Sequence, residues 1–187
     1  MKIILGIDVS STTIGFGTLS WNEVTDDIKY IGMDYIKPIK EGAVIERIVH
    51  TRDKMQKIIA DIKPDYIAIE EIISFMKGKS TAKTVITLTT YNRMIGLVAY
   101  DYLAKAPEMF NVMSIRHGLK LNKKLPSKQE IPELVSKHLG ITFPYEYKKT
   151  GKLKVENEDK ADGTAVALYY AFLLSGKIVK KGKKKWI

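Results

Sequence analysis

Cysteine is missing from all 187 residues, which excludes disulfides and thiolate metal sites and favours an intracellular setting. No stretch approaches the roughly 18 consecutive apolar residues that cross a bilayer. The apolar opening runs at once into acidic and hydroxylated residues, which is not the pattern of a signal peptide. A cytoplasmic protein with no membrane partner is expected. Internal repeats and linker-like composition shifts are absent too, and the length suits one well-packed domain rather than two. Negative charge is in deficit, with 21 Asp and Glu against 31 Lys and Arg and a net charge of +10. That balance suggests a polyanionic partner, nucleic acid first, although lysine-rich surfaces also serve solubility. With 45% hydrophobic and 28% charged residues, the composition is that of a globular chain rather than a disordered one.

The opening residues organise what is present. Ile3, Ile4, Leu5 and Ile7 form a continuous apolar run, the pattern of a strand covered on both faces, and it delivers Asp8 at its carboxyl end. A carboxylate so close to a core is costly unless it is paired, hydrogen-bonded or bound to metal. Ser10 to Thr13 read as a turn, and Ile14, Phe16 and Leu19 with Gly15 and Gly17 begin a second strand, so a hairpin is expected. Partial alternation predicts a third antiparallel strand over 26–36. From Glu41 to Ile62, apolar residues recur at helical spacing until Lys63 and Pro64 stop them.

Tyr66 to Ile73 repeats the opening pattern, an apolar strand ending in the carboxylates of Glu70 and Glu71. A basic loop holding Phe75, Lys77 and Lys79 leads past Lys83 into a helix expected over 81–103. A fifth strand over 109–115, a basic connector from Arg116 through Lys120 to Lys124, and a helix capped by Ser127 and stopped by Gly140 follow. Residues 143–155 read as a loop bearing tyrosines and lysines, and a small-residue helix runs from Asp159 to Gly176. The order predicts an α/β fold, a central mixed five-stranded sheet with its first three strands antiparallel and helices on its faces. Residues 1–176 form a single domain on this reading, and 177–187 a basic arm.

Four carboxylates stand out: Asp8, Glu70, and Asp159 with Asp162, which share a helix face at a spacing of three. Each has a plainer explanation, since Asp8 suits a hairpin turn and the two later aspartates suit the start of a helix. As a set they would repel strongly unless cations neutralised them. Oxygen-only ligation selects hard ions such as Mg²⁺ or Mn²⁺. Two such ions about 4 Å apart can drive in-line cleavage of a phosphodiester, and a basic surface would hold the nucleic acid.

These residues carry a resemblance. Gly6 and Asp8 before a Ser/Thr turn and Gly15-Phe-Gly17, then Ile67-Ala-Ile-Glu70, then Asp159-Lys-Ala-Asp162-Gly, resemble in order and spacing the RuvC family of Holliday-junction resolvases. The resemblance implies a ribonuclease H-like fold, a homodimer, and an endonuclease that cuts four-way junctions, or forks and flaps, with two Mg²⁺ per subunit. It places catalysis and metal binding on Asp8, Glu70, Asp159 and Asp162. It also implies DNA contacts from Arg116, Lys120 and Lys128; on electrostatic grounds Lys77, Lys79 and Lys83 are expected to flank the acids and bind DNA as well. The family's wedge aromatic has its nearest counterpart in Phe75, because the expected position holds Ile73, and core packing is the alternative there. The helix over 81–103, with Val85, Leu88, Met94, Ile95 and Leu97, is the expected dimer interface.

Other classes share some of these letters. Sugar kinases and actin-like proteins open on a similar glycine and hydroxyl turn but need a second phosphate loop, and none is visible here. A non-catalytic branched-DNA-binding relative would lack one of the acids, and none is missing.

Overall fold

In the computed structural model, which describes residues 1–72 and 81–179, strand pairing sets the frame. β1 (Lys2–Val9) and β2 (Ile14–Trp21) form an antiparallel hairpin, and β3 (Ile28–Ile36) continues it antiparallel. β4 (Tyr66–Glu71) lies parallel to β1, and β5 (Glu108–Asn111) parallel to β4, giving the order β3-β2-β1-β4-β5. The expected mixed α/β sheet is therefore present.

Alternation along the strands divides the core. Ile4, Leu19, Ala68 and Phe110 face α5 (Glu156–Leu174), beside which α3 (Val112–Leu119) and α4 (Ile131–Leu139) pack. Leu5, Ile7, Ile67 and Ile69 face α1 (Val44–Ile62) and α2 (Ala82–Leu103), whose buried Met55, Ile59, Tyr91 and Ile95 close the second layer. The many threonines of α2 are accommodated locally. Thr81 caps the helix by accepting from Thr84 N at 3.2 Å, and Thr87 and Thr90 return their hydroxyls to the carbonyls of Lys83 and Ile86, satisfying groups that otherwise compete with the helix. No helix among the described residues is long and apolar enough to cross a membrane.

Several boundaries differ from the sequence reading. The strand expected over 109–115 stops at Asn111, whose side chain accepts from Met113 N at 2.8 Å and so caps α3. Ile115 and Leu119 are buried one turn apart, and the apolar run is helical because one face of it meets α5. Ser127 and Glu130 form a capping box, but the turn they open, Lys128–Glu130, is 3₁₀ and precedes α4. α5 begins at Glu156, so Asp159 and Asp162 lie within its first two turns rather than at its cap. Strand β4 ends at Glu71, and the expected end at Ile73 lies outside the described residues. Beyond α5, Ile178 folds back, its N–H donating to Phe172 O at 3.2 Å.

Candidate active site

Ile7 stands opposite Ile69 in the parallel β1–β4 pair. The next residues, Asp8 and Glu70, therefore project side by side onto the α5 face, at the carboxyl ends of the two strands. By the same alternation Glu71 points elsewhere, and it lines a cavity of about 600 Å³ beside β5.

The helix that brings the other two acids lies directly on the sheet because glycines leave it room. A Cβ on Gly6 would overlap the backbone of Gly163 and Ala167, and one on Gly15 the carbonyl of Asp159. Gly17 meets Thr164, and Gly163 lies on the backbone of Gly15 and Phe16. This close approach sets Asp159 and Asp162 over the end of the β1–β2 hairpin. The Thr13 hydroxyl, at the hairpin turn, favours the charged form of the Asp159 carboxylate. Ser10 holds the turn itself, accepting from Thr13 N at 2.9 Å.

Lys128 enters this group from the 3₁₀ turn. Its ammonium lies 3.4 Å from Asp162 Oδ2, 3.8 Å from Asp159 Oδ1 and 3.9 Å from Glu158 Oε2. The acids still outnumber it. Burial first, then repulsion from Glu70 and Asp162, holds the Asp8 carboxyl well above the usual range. Burial and the Asp162 charge push Glu70 up to about 7, against relief from Arg116 and Lys128. Burial likewise raises Asp162 to about 6 against Lys128 and Arg116, and it raises Asp159 against Lys128 and Thr13, which favour its charged form. The same acids raise the Lys128 ammonium against its own desolvation.

Of the residues expected from sequence, the structure thus gathers Asp8, Glu70, Asp159, Asp162, Lys128 and Arg116. The Arg116 guanidinium acts on both Glu70 and Asp162, and its buried Nε has no hydrogen-bond partner among the described residues. Lys120 stands apart at the exposed end of α3, lining the cavity beside β5, and Lys83 is exposed in the first turn of α2. Phe75, Lys77 and Lys79 lie outside the described residues.

Several positioning residues escape sequence reasoning. Buried Asn92 of α2 donates Nδ2 to Glu70 O at 2.9 Å and so pins the end of β4. Buried Asn157 accepts from Glu146 N at 2.9 Å and donates to Glu146 O at 2.8 Å, while Lys160 Nζ meets Glu146 Oε1 at 2.6 Å. Together with the Lys37–Glu156 ion pair, these contacts anchor the first turn of α5. A buried amide is a detectable signal, but its partner is remote in sequence and no local pattern names it.

The donor set is chemically suited to a hard cation. It is all oxygen, carries more negative charge than Lys128 offsets, and keeps Asp8, Glu70, Asp159 and Asp162 partly open to solvent. As the side chains stand, no three acidic or histidine groups among the described residues are tight enough to enclose an ion; they surround an ammonium instead.

Comparison with known proteins gives a consistent result. Residues 4–120 match the family described as crossover junction endodeoxyribonuclease RuvC. The protein of that name from Fusobacterium nucleatum subsp. nucleatum is 26% identical over 182 residues, which cover 94% of this chain and 83% of that protein. The fold is shared with Thermus thermophilus RuvC solved in complex with a Holliday junction substrate, at a TM-score of 0.69 and 17% identity over 92% of this chain and 94% of that one. The yeast mitochondrial Holliday junction resolvase aligns at a TM-score of 0.63 and 14% identity, covering 92% of this chain and 78% of the other.

Proposed function

We propose, because this chain belongs to the RuvC family of crossover junction endodeoxyribonucleases, that it resolves four-way DNA junctions by cutting phosphodiesters at the Asp8, Glu70, Asp159 and Asp162 cluster. The observation that carries the assignment to this site is the convergence of those four carboxylates, from two strand ends and one helix, around a single lysine. Protein interiors do not collect like charges for stability, and an acid-rich site at strand ends is a functional arrangement.

The four acids would hold Mg²⁺, or Mn²⁺ in its place, as two ions per subunit. Bound there, such ions activate a water and offset charge on the leaving oxygen of a phosphodiester. The chain's own residues do the rest. Lys128 reduces repulsion among the acids, and the Arg116 guanidinium favours the charged forms of Glu70 and Asp162 and would meet an incoming phosphate beside them. Asn92 and the Asn157–Glu146 contacts hold the strand and helix ends at fixed separation.

Two symmetric cuts call for two sites related by a two-fold axis, so the working form is a homodimer. Met94 and Ile95 are not available to it, because the α1–α2 layer of the monomer buries them. The interface is assigned instead to the exposed stripe of α2 made by Ile86, Leu97 and Tyr100.

The test is cleavage of synthetic four-way junctions, forks, flaps and linear duplex side by side with Mg²⁺. Preferential nicking of branched substrates, abolished in Asp8→Asn while junction binding persists, is expected, since ligation needs the carboxylate charge whereas affinity comes from cations on phosphate. A normal cutting rate in Asp8→Asn would refute the assignment of the site.

A further inference from the structure

Residues 146–154 form a small hairpin that the site described above leaves unused. Tyr147 bridges to Leu153, Lys154 N donates to Glu146 O at 3.0 Å, and Lys148 N donates to Lys152 O at 2.7 Å. Gly151 closes the tip at a φ of +77°, a left-handed conformation that glycine takes without strain. The stem is fastened to α5 through Asn157 and Lys160, which flank Asp159 in sequence.

The hairpin stands at the same end of the sheet as the acids. Lys154 neighbours Tyr35 and Glu156, Tyr35 pairs with Gly15, and Gly15 pairs with Asp8. It occupies the β3 side of the cluster, whereas Arg116 approaches from the β5 side. On the β3 flank most cations are already used, Lys37 by Glu156 and both Lys154 and Lys160 by Glu146. The tip is different. Lys148, Lys149 and Lys152 are exposed, and none pairs with an acid among the described residues. Tyr147 and Leu153 beside them are 59% and 50% exposed. An aromatic ring and three free ammonium groups on a braced projection match a phosphate backbone with unstacked bases.

We infer that hairpin 146–154 is a DNA-gripping arm on the β3 side of the acid cluster, with Lys148, Lys149 and Lys152 on phosphates and Tyr147 stacked on an unpaired base near the exchange point. The inference rests on the nuclease reading above. It follows physically from the need for positive charge on both flanks of an acidic site if a scissile phosphate is to enter.

The test uses the full chain in an Asp8→Asn background, which leaves substrate uncut. Removing the three tip lysines together (Lys148→Ala, Lys149→Ala, Lys152→Ala) should weaken four-way junction binding roughly tenfold or more and flatten the slope of log Kd against log salt by about 2 to 3. The matching Lys→Arg triple should keep the parent slope. Tyr147→Ala should weaken junction binding by about 5-fold to 100-fold with the slope unchanged, leave linear duplex binding near the parent value, and be rescued by Tyr147→Phe. All these side chains are exposed, so melting temperatures should match the parent. A triple variant with the parent Kd and slope, while the chain with Asp8 intact still cuts junctions, overturns the hairpin alone. An intact chain that neither binds nor cuts branched DNA overturns the functional reading and the hairpin with it. Weaker binding accompanied by a changed sedimentation coefficient would assign the hairpin to a protein contact and overturn its role on DNA.

Discussion

Raising the pH should destabilise the metal-free protein, and the size of the effect follows from the acid cluster. Glu70 is pushed from its usual 4.5 to about 7 and Asp162 from 3.8 to about 6, in each case by burial first. A carboxyl whose folded pKa is raised binds a proton more tightly in the folded state. Its contribution is therefore fully present below the unfolded pKa and is lost as pH climbs through the folded value. Each unit corresponds to about 1.4 kcal/mol, and because the two groups repel each other their effects do not simply add. Between about pH 5 and pH 8 the loss should be about 3 kcal/mol, or about 6–12 °C in Tm for a chain of this length. Asp8 and Asp159 act in the same direction. Glu146, held down at about 2 by Lys154 and Lys160, acts in the opposite direction, but only below its usual 4.5, outside this window. Thermal unfolding in chelator across that range measures the effect. Adding Mg²⁺ at the alkaline end should restore the lost Tm through binding to the folded state, and Asp162→Asn should reduce the pH slope. A Tm that stays flat in chelator, or a slope unchanged in Asp162→Asn, would refute the view that the acids are held together against their repulsion.

Gly15→Ala places a methyl against the Asp159 carbonyl, so it should cost about 1–3 kcal/mol and lose most cleavage, because displacing α5 moves two acids at once; unfolding and cleavage measured together check this, and a normal rate would show that the close approach is unnecessary. Leu97→Glu puts a charge in the exposed α2 stripe and should give monomers by sedimentation without lowering Tm, since Leu97 is 65% exposed in the monomer; a dimer that survives it would move the interface elsewhere.

Legibility followed the range of the forces involved. Strands β1 and β4 announce themselves through continuous apolar runs, and the acids at their ends are visible because a charge next to such a run is conspicuous. Gly6, Gly15, Gly17 and Gly163 were visible as motif letters, yet their role, admitting α5 onto the sheet, appears only once the helix is laid across the hairpin. The run from Met109 to Ile115 misleads for a related reason. A short apolar stretch has no decisive period, and what ends the strand is the Asn111 cap together with the face that α5 offers to Ile115 and Leu119. Met94 and Ile95 are expected from sequence at the dimer interface, but packing against α1 and the sheet assigns them to the core.

From the sequence alone came the α/β class, the four acids and their family resemblance, because strand burial, helix spacing and carboxylate chemistry are written in residues near one another. Tertiary structure alone decided that Lys128 sits among the acids, that Asn92 pins Glu70 and Asn157 anchors α5, and that residues 146–154 stand as a hairpin beside the site. Those outcomes depend on groups remote along the chain, whose meeting is set by how sheet and helices pack and not by any local preference.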